Sequence, residues 1–215
     1  MKKDIKISVS SLPYNDIILD ELTNIQNSNA DFLHLDIMDG TLTENSTFNF
    51  ETVKEINGHS TLFLDCHLMV NEPLKIIEKY IQAGANIVTV HFEAFKNKND
   101  LIKCLKLIKK YKCIAGLSLY PNTKISEVSK FLKYADLVLL MSVEIGKYGQ
   151  TFIPSTLKKI VNLRKIYNGL IEIDGGVNLE NLVYIKNADA DIVVVGGTFY
   201  KANIKTEIIK KMRNV

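Results

Sequence analysis

Short runs of β-branched and other apolar residues recur along the chain, each followed by a polar stretch long enough for a helix. The runs begin near Ile5, Phe32, Leu62, Ile87, Ile114, Leu137, Leu170 and Ile192, at intervals of roughly 27 residues. That interval holds a strand, a loop, a helix and a second loop. Most runs, such as Ile87-Val88-Thr89-Val90 and Ile192-Val193-Val194-Val195, are continuously apolar instead of alternating. This is the pattern of parallel strands covered on both faces. Between them the spacing is helical: Leu101, Ile102, Leu105 and Ile108 share a face, and Lys103, Lys106, Lys109 and Lys110 read as the solvated one. Eight βα units without a ninth strand predict an α/β protein, a single closed (β/α)8 barrel domain spanning 1–215. An open doubly wound sheet more often has five to seven strands and a glycine-rich nucleotide loop after the first. Here that position reads Ser8-Val9-Ser10-Ser11-Leu12-Pro13.

Composition narrows the setting. The chain has 215 residues, 47% hydrophobic and 24% charged, enough apolar material for a full core and too much for a disordered or low-complexity protein. No apolar run nears the ~18 residues of a membrane span, so no membrane partner is expected. Met1-Lys2-Lys3-Asp4 has two lysines with no apolar stretch behind them, and no secretory signal is expected. Three scattered cysteines, Cys66, Cys104 and Cys113, make no disulfide framework, which points to a reducing cytoplasm. The net charge of +3 is spread through both halves and predicts no nucleic-acid partner.

In a barrel of this kind chemistry sits at the carboxyl ends of the strands. Strand two ends in His34-Leu35-Asp36, strand three in Asp65-Cys66-His67-Leu68-Met69, strand four in Val90-His91 and strand seven in Glu172-Ile173-Asp174. Residues two apart on a strand point to the same side, so His34 and Asp36 can both face the interior, as can Asp65 and His67. A histidine taken alone is more often a hydrogen-bonded core residue. Three of the four in this chain, however, fall at strand ends. Together His34, Asp36, His67 and Asp174 make two imidazoles and two carboxylates at one mouth, a donor set for one divalent ion: zinc, iron, manganese or cobalt. Asp65 is placed to orient His67 as an outer acceptor. His59, in Asn57-Gly58-His59-Ser60, reads as part of a solvated turn. An ion between two aspartates can stabilise an enediolate while one carboxyl removes a proton and the other returns it from the opposite face, inverting the carbon.

Gly175-Gly176 follows strand seven and Gly196-Gly197 follows strand eight, the loops that often cradle a phosphate through backbone N–H groups. Two such pairs point to a phosphorylated substrate. Gly146-Lys147-Tyr148-Gly149 after strand six reads either as a hinged lid or as a plain flexible loop. Met38, Met69 and Met141 close three strands; singly they are core filler, together an apolar floor that keeps water out. Cys66 points away from His67's side and reads as a buried structural thiol.

At these residues the sequence resembles the ribulose-phosphate 3-epimerase family over nearly the whole chain. The stretches that carry the resemblance are His34-Leu35-Asp36-Ile37-Met38-Asp39-Gly40, Asp65-Cys66-His67-Leu68-Met69-Val70, Val90-His91-Phe92-Glu93-Ala94, Met141-Ser142-Val143 with Gly149-Gln150-Thr151-Phe152-Ile153-Pro154, and Asp174-Gly175-Gly176-Val177-Asn178. The resemblance implies a metal-dependent TIM barrel of the ribulose-phosphate-binding type that epimerises carbon 3 of a ketose phosphate, as a homo-oligomer. It implies metal ligands His34, Asp36, His67 and Asp174, with Asp36 the proton acceptor and Asp174 the donor. It implies substrate contacts at Ser10, His67, Gly146, Lys147, Tyr148, Gly149, Gly175, Gly176, Gly196 and Gly197.

The departures concern substrate. The loop after strand two reads Gly40-Thr41-Leu42-Thr43-Glu44-Asn45, where the family commonly has Gly-His-Phe-Val-Pro-Asn. Loop six reads Ile145-Gly146-Lys147-Tyr148-Gly149 in place of Pro-Gly-Phe-Gly-Gly or Pro-Gly-Phe-Ala-Gly. Val9 replaces the proline before Ser10, and Gly196-Gly197 the usual Gly-Ser. D-Ribulose 5-phosphate to D-xylulose 5-phosphate is the leading reaction, within pentose-phosphate metabolism. The altered loops keep a hexulose 6-phosphate 3-epimerase, such as the D-allulose 6-phosphate enzyme, as the alternative. A decarboxylase or aldolase would call for a lysine at a strand end, and none is there. A binding protein that has lost catalysis is at odds with the intact His34, Asp36, His67 and Asp174.

Overall fold

The computed structural model describes residues 4–12 and 18–215. Met1-Lys2-Lys3, part of the signal-segment expectation, and Pro13 of the first loop lie outside them, as do those portions of the expected 1–215 domain. Eight strands, β1 (Lys6–Ser10), β2 (Phe32–Met38), β3 (Phe63–Met69), β4 (Ile87–His91), β5 (Ile114–Leu119), β6 (Leu137–Met141), β7 (Leu170–Asp174) and β8 (Ile192–Val195), close in sequence order into one parallel barrel. Parallel neighbours need a crossover between them, and helices supply it. They are α1 (Ile18–Gln26), α2 (Phe50–His59), α3 (Ile77–Gln82), α4 (Lys98–Lys110), α5 (Ile125–Val128), α6 (Ser155–Arg164), α7 (Leu179–Asn187), α8 (Gly197–Tyr200) and α9 (Lys205–Asn214). The expected (β/α)8 TIM barrel is the observed one.

Strand alternation divides the apolar material into two layers. Leu33, Leu35 and Ile37 of β2 join the large core between barrel and helices, together with Cys66, Val88, Val90, Leu117, Val138, Ile171 and Val193. The helices contribute their inner faces: in α4, Leu101, Cys104, Leu105 and Ile108 are fully buried, and an aliphatic side chain so buried stabilises by roughly 1.5–3 kcal/mol. Inside the barrel a smaller cluster of Ile87, Leu137, Leu139, Met141, Val143 and Ile192 fills one part, with Phe32, Ile114 and Leu170 packed against it. The rest of the interior is polar: Ser8, His34, Asp65, Thr89, Ser118 and Glu172 are all fully buried. Cys66 is a buried free thiol, pushed well up by that burial.

The stretch Asn57–Ser60, expected as a solvated turn, is instead the last turn of α2. His59 is its final residue and remains exposed. Ser60 caps the end, its N–H donating to the Ile56 carbonyl at 2.8 Å. One glycine in a helix costs only about 1 kcal/mol, and buried Val53 and Ile56 hold the helix to the core.

Gly116 on β5 marks a close approach, because a Cβ there would lie 2.1 Å from Thr89 Oγ1 and 2.9 Å from Thr89 Cα. Gly116→Ala is therefore expected to destabilise by about 1–3 kcal/mol. Gly58→Ala, with nothing within 4 Å of its Cβ, is expected to be neutral or to stabilise by up to about 1 kcal/mol. Urea denaturation of both variants checks this; equal midpoints would contradict it.

Candidate active site

Register across β2 and β3 builds the centre of the site. Asp36 lies opposite His67, and His34 one level deeper opposite Asp65. On β7, Asp174 reaches the same level as Met141 of β6. The four residues expected as ligands meet: His34 Nε2 is 3.4 Å from Asp36 Oδ1, His67 Nδ1 is 3.2 Å from the same oxygen, and both nitrogens are 4.0 Å from Asp174 Oδ2. One ligand atom from each lies within 4.8 Å of all the others. Ligands about 2.0–2.2 Å from a common divalent ion are spaced by roughly such distances. His34 Nε2 is buried with no hydrogen-bond partner, a lone pair or proton aimed into the cluster. Geometry and donor chemistry therefore fit a divalent cation.

The outer contacts differ from expectation at Asp65. Its carboxylate accepts from His34 Nδ1 at 2.6 Å and from the Ser8 hydroxyl at 3.0 Å; it orients His34 and not His67. Two residues on one face of a strand are roughly 7 Å apart along it, whereas the cross-strand partner lies alongside. His67 instead presents Nε2 to His91 Nε2 at 2.7 Å. The Ser10 hydroxyl donates to Asp36 Oδ2 at 3.1 Å, and the Thr47 hydroxyl to the Asp36 carbonyl at 2.5 Å.

Burial and charge pull the carboxyls apart. Burial works against ionised Asp36, but the His34 charge and hydrogen bonds to His34 and His67 outweigh it and hold the group well below the usual carboxylate range. Asp174 goes the other way, raised to about 6 by burial and by the Asp36 charge, against the opposing effect of His34 and His67. Burial disfavours the charged form of His34, yet the Asp65 and Asp36 charges raise it well above the ordinary histidine range. Glu172, also buried, is raised strongly by desolvation and then by the Asp65 charge. Glu172 went unassigned in the sequence, although it stands two residues before Asp174 on the same face of β7.

Above the cluster opens a cavity of about 370 Å³. Ser10, Asp36 and Asp174 line its floor beside Met69 and Met141. Met38, expected in the apolar floor, is buried but does not line the cavity, and His67 is likewise buried, its contacts directed at Asp36 and His91. Gly175, Gly176, Gly196 and Gly197 line one wall and Gly146, Lys147, Tyr148 and Gly149 the opening. Gly175 (φ +118°) and Gly176 (φ +64°) adopt left-handed backbone, and a Cβ on Gly176 would lie 2.4 Å from the Phe152 nitrogen. Only glycine fits this turn without strain. Lys201, which the sequence reading did not single out, stands one helical turn beyond Gly197 on the same wall; that spacing after strand eight was its one signal.

A family model described as the Ribulose-phosphate 3 epimerase family matches residues 4–200. The chain is 36% identical over 200 residues to the ribulose-phosphate 3-epimerase of Chlamydia muridarum, with 88% of this chain and 86% of that one aligned. It is 37% identical over 191 residues to that of Aquifex aeolicus, covering 86% and 85%. The solved 3-keto-L-gulonate-6-phosphate decarboxylase from Vibrio cholerae matches with a TM-score of 0.70 at 14% identity, over 100% of this chain and 97% of that one, a likeness of fold alone.

In metal-free protein the Asp174 carboxyl is expected to titrate at about 6 when followed by carboxyl-carbon NMR. Asp36→Asn removes the adjacent negative charge and is expected to lower that midpoint, while burial keeps it above the ordinary range. An ordinary carboxylate titration of Asp174 in both proteins would contradict the electrostatics derived above.

Proposed function

The chain belongs to the ribulose-phosphate 3-epimerase family, and on that premise we propose that this isomerase interconverts D-ribulose 5-phosphate and D-xylulose 5-phosphate with a divalent metal in its site. One observation carries the reading: Asp36 and Asp174 share the cavity floor within 4.8 Å of His34 and His67, and their environments shift the two carboxyls in opposite directions, Asp36 down and Asp174 up. Divergent carboxyls of this kind mark a base and an acid.

Asp36, held by the Ser10 hydroxyl at 3.1 Å, takes the proton from carbon 3. Asp174 delivers a proton to the opposite face of the resulting enediolate, and the roles exchange in the reverse direction. Two groups are needed because a single base returning its own proton would restore the starting configuration. A divalent ion (zinc, iron, manganese or cobalt) held by His34, Asp36, His67 and Asp174 would supply Lewis-acid stabilisation of the negative charge on the ketose oxygens. Backbone N–H groups at Gly175-Gly176 and Gly196-Gly197 receive the phosphate, with Lys147 and Lys201 supplying positive charge around it. Met69, Met141 and Val143 on the cavity wall exclude water from the carbanionic carbon.

A second reading is favoured by one close approach. A Cβ on Gly146 would lie 2.9 Å from Thr43 Cβ, so Thr43, one of the loop-two residues that depart from the family pattern, backs the loop-six segment that lines the cavity. Such a pairing of loops can re-target the barrel to a hexulose 6-phosphate, D-allulose 6-phosphate being the test case. We assign the protein to the cytoplasm as a homo-oligomer whose small-molecule partner is a ketose phosphate; family membership and three free cysteines support this.

The test is kcat/KM of metal-loaded protein on D-ribulose 5-phosphate and D-allulose 6-phosphate side by side. A preference of at least about tenfold for the pentulose is expected, and Asp36→Asn is expected to lower kcat by about 10²–10⁴ with the metal retained. Preference for the hexulose would establish the second reading; inactivity on both with metal bound would overturn the substrate assignment.

A further inference from the structure

The stretch Val90-His91-Phe92-Glu93-Ala94 has no part in the chemistry above, yet it ends beside a metal-ligand candidate. His91 closes β4 and a 3₁₀ turn, Phe92–Ala94, follows at once. The His91 ring is fully buried, and its Nε2 lies 2.7 Å from His67 Nε2. Two ring nitrogens at that distance share one proton, so one donates and the other accepts. Which one donates decides whether His67 Nδ1 keeps a lone pair for the ion.

Glu93 supplies the answer. Its Oε1 accepts the Tyr120 N–H at 3.0 Å and the Thr123 hydroxyl. Its Oε2 faces His91 Nδ1 at 3.4 Å, and neither of these two buried atoms has another partner among the described residues. Burial works against ionised Glu93, but hydrogen bonds to His91, Thr123 and the Tyr120 N–H outweigh it and hold the group below its ordinary value. A carboxylate oxygen only accepts, so the ring nitrogen that faces it, His91 Nδ1, carries the proton and Nε2 accepts.

We infer that Glu93 is a positioning residue for the metal: through His91 it keeps the His67 proton on Nε2, so that Nδ1, which faces Asp36 Oδ1 at 3.2 Å, is the nitrogen turned to the ion. The inference rests on the proposed metal site. It makes His67 the counterpart of His34, whose Nδ1 is held by Asp65 so that Nε2 faces the cluster. Here the restraint passes through a second histidine to a carboxylate anchored on the loop after β5.

The direct measurement is the histidine ¹⁵N NMR spectrum of zinc-loaded wild-type protein. His91 is expected as the Nδ1–H tautomer and His67 with a proton on Nε2 and a metal-shifted Nδ1. A His91 proton on Nε2 would overturn the inference. The variant Glu93→Gln sharpens it. Tyr120 N–H and Thr123 O–H pin the amide oxygen at the Oε1 position, so the amide NH2 faces His91 and the order of donors reverses. Zinc affinity, measured by competition with a chelating dye, is expected to fall about 10–100-fold. Glu93→Ala, which adds no opposing donor, is expected to lose less. A packing role for Glu93 predicts the reverse order, with Gln near wild type; that result, or wild-type affinity in Glu93→Gln, would overturn the inference. Wild-type protein that takes up no zinc would instead remove the metal reading, and the relay with it.

Discussion

Two carboxylates and two imidazoles within 4.8 Å of one another are expensive to bury, and much of the barrel mouth is arranged around that constraint. Four such groups taken from water need opposite charge or hydrogen bonds on every side. The protein supplies them in rings. Ser10 holds the Asp36 carboxylate, Asp65 holds His34, and His91 backed by Glu93 faces His67. What remains unmatched is the inward-facing His34 Nε2, a place a divalent ion would satisfy. Burial raises both carboxyls, and the His34 charge with hydrogen bonds to His34 and His67 brings Asp36 back down, which separates the two proton affinities.

The barrel gives each surface a different task. Outward-facing residues of the strands bury against helices and fix the frame. The inner cluster of Ile87, Leu137, Leu139, Met141, Val143 and Ile192 fills part of the lumen, leaving the polar residues on the remainder packed against something rigid. The loops form the cavity above it, the glycine turns after β7 and β8 at one wall and Lys147-Tyr148 at the opening. On the proposed function, substrate choice would rest on these loops and proton transfer on the strand residues.

The strands were legible because a parallel sheet covered on both faces writes itself as continuous apolar runs, and all eight begin within a residue of where those runs start. His34 and Asp36 were legible as a pair because a two-residue offset fixes a shared face. Cross-strand partnership was not: Asp65 serves His34 because strand register sets them side by side, and register belongs to the pairing of two segments. The same holds for Asn45 and Gly146, 101 residues apart and joined by a hydrogen bond. At His59 a glycine misled, since tertiary anchoring by Val53 and Ile56 outweighs its weak helix preference.

The central claim is that two carboxyls on opposite sides of carbon 3 exchange its proton through a metal-supported enediolate. Turnover of D-ribulose 5-phosphate in D2O, followed by proton NMR of the product, tests it most directly. The account predicts solvent deuterium at carbon 3 of the product and no turnover by chelator-stripped protein until a divalent ion is restored. A product that keeps its original proton at carbon 3, or full activity after the metal is removed, would contradict it.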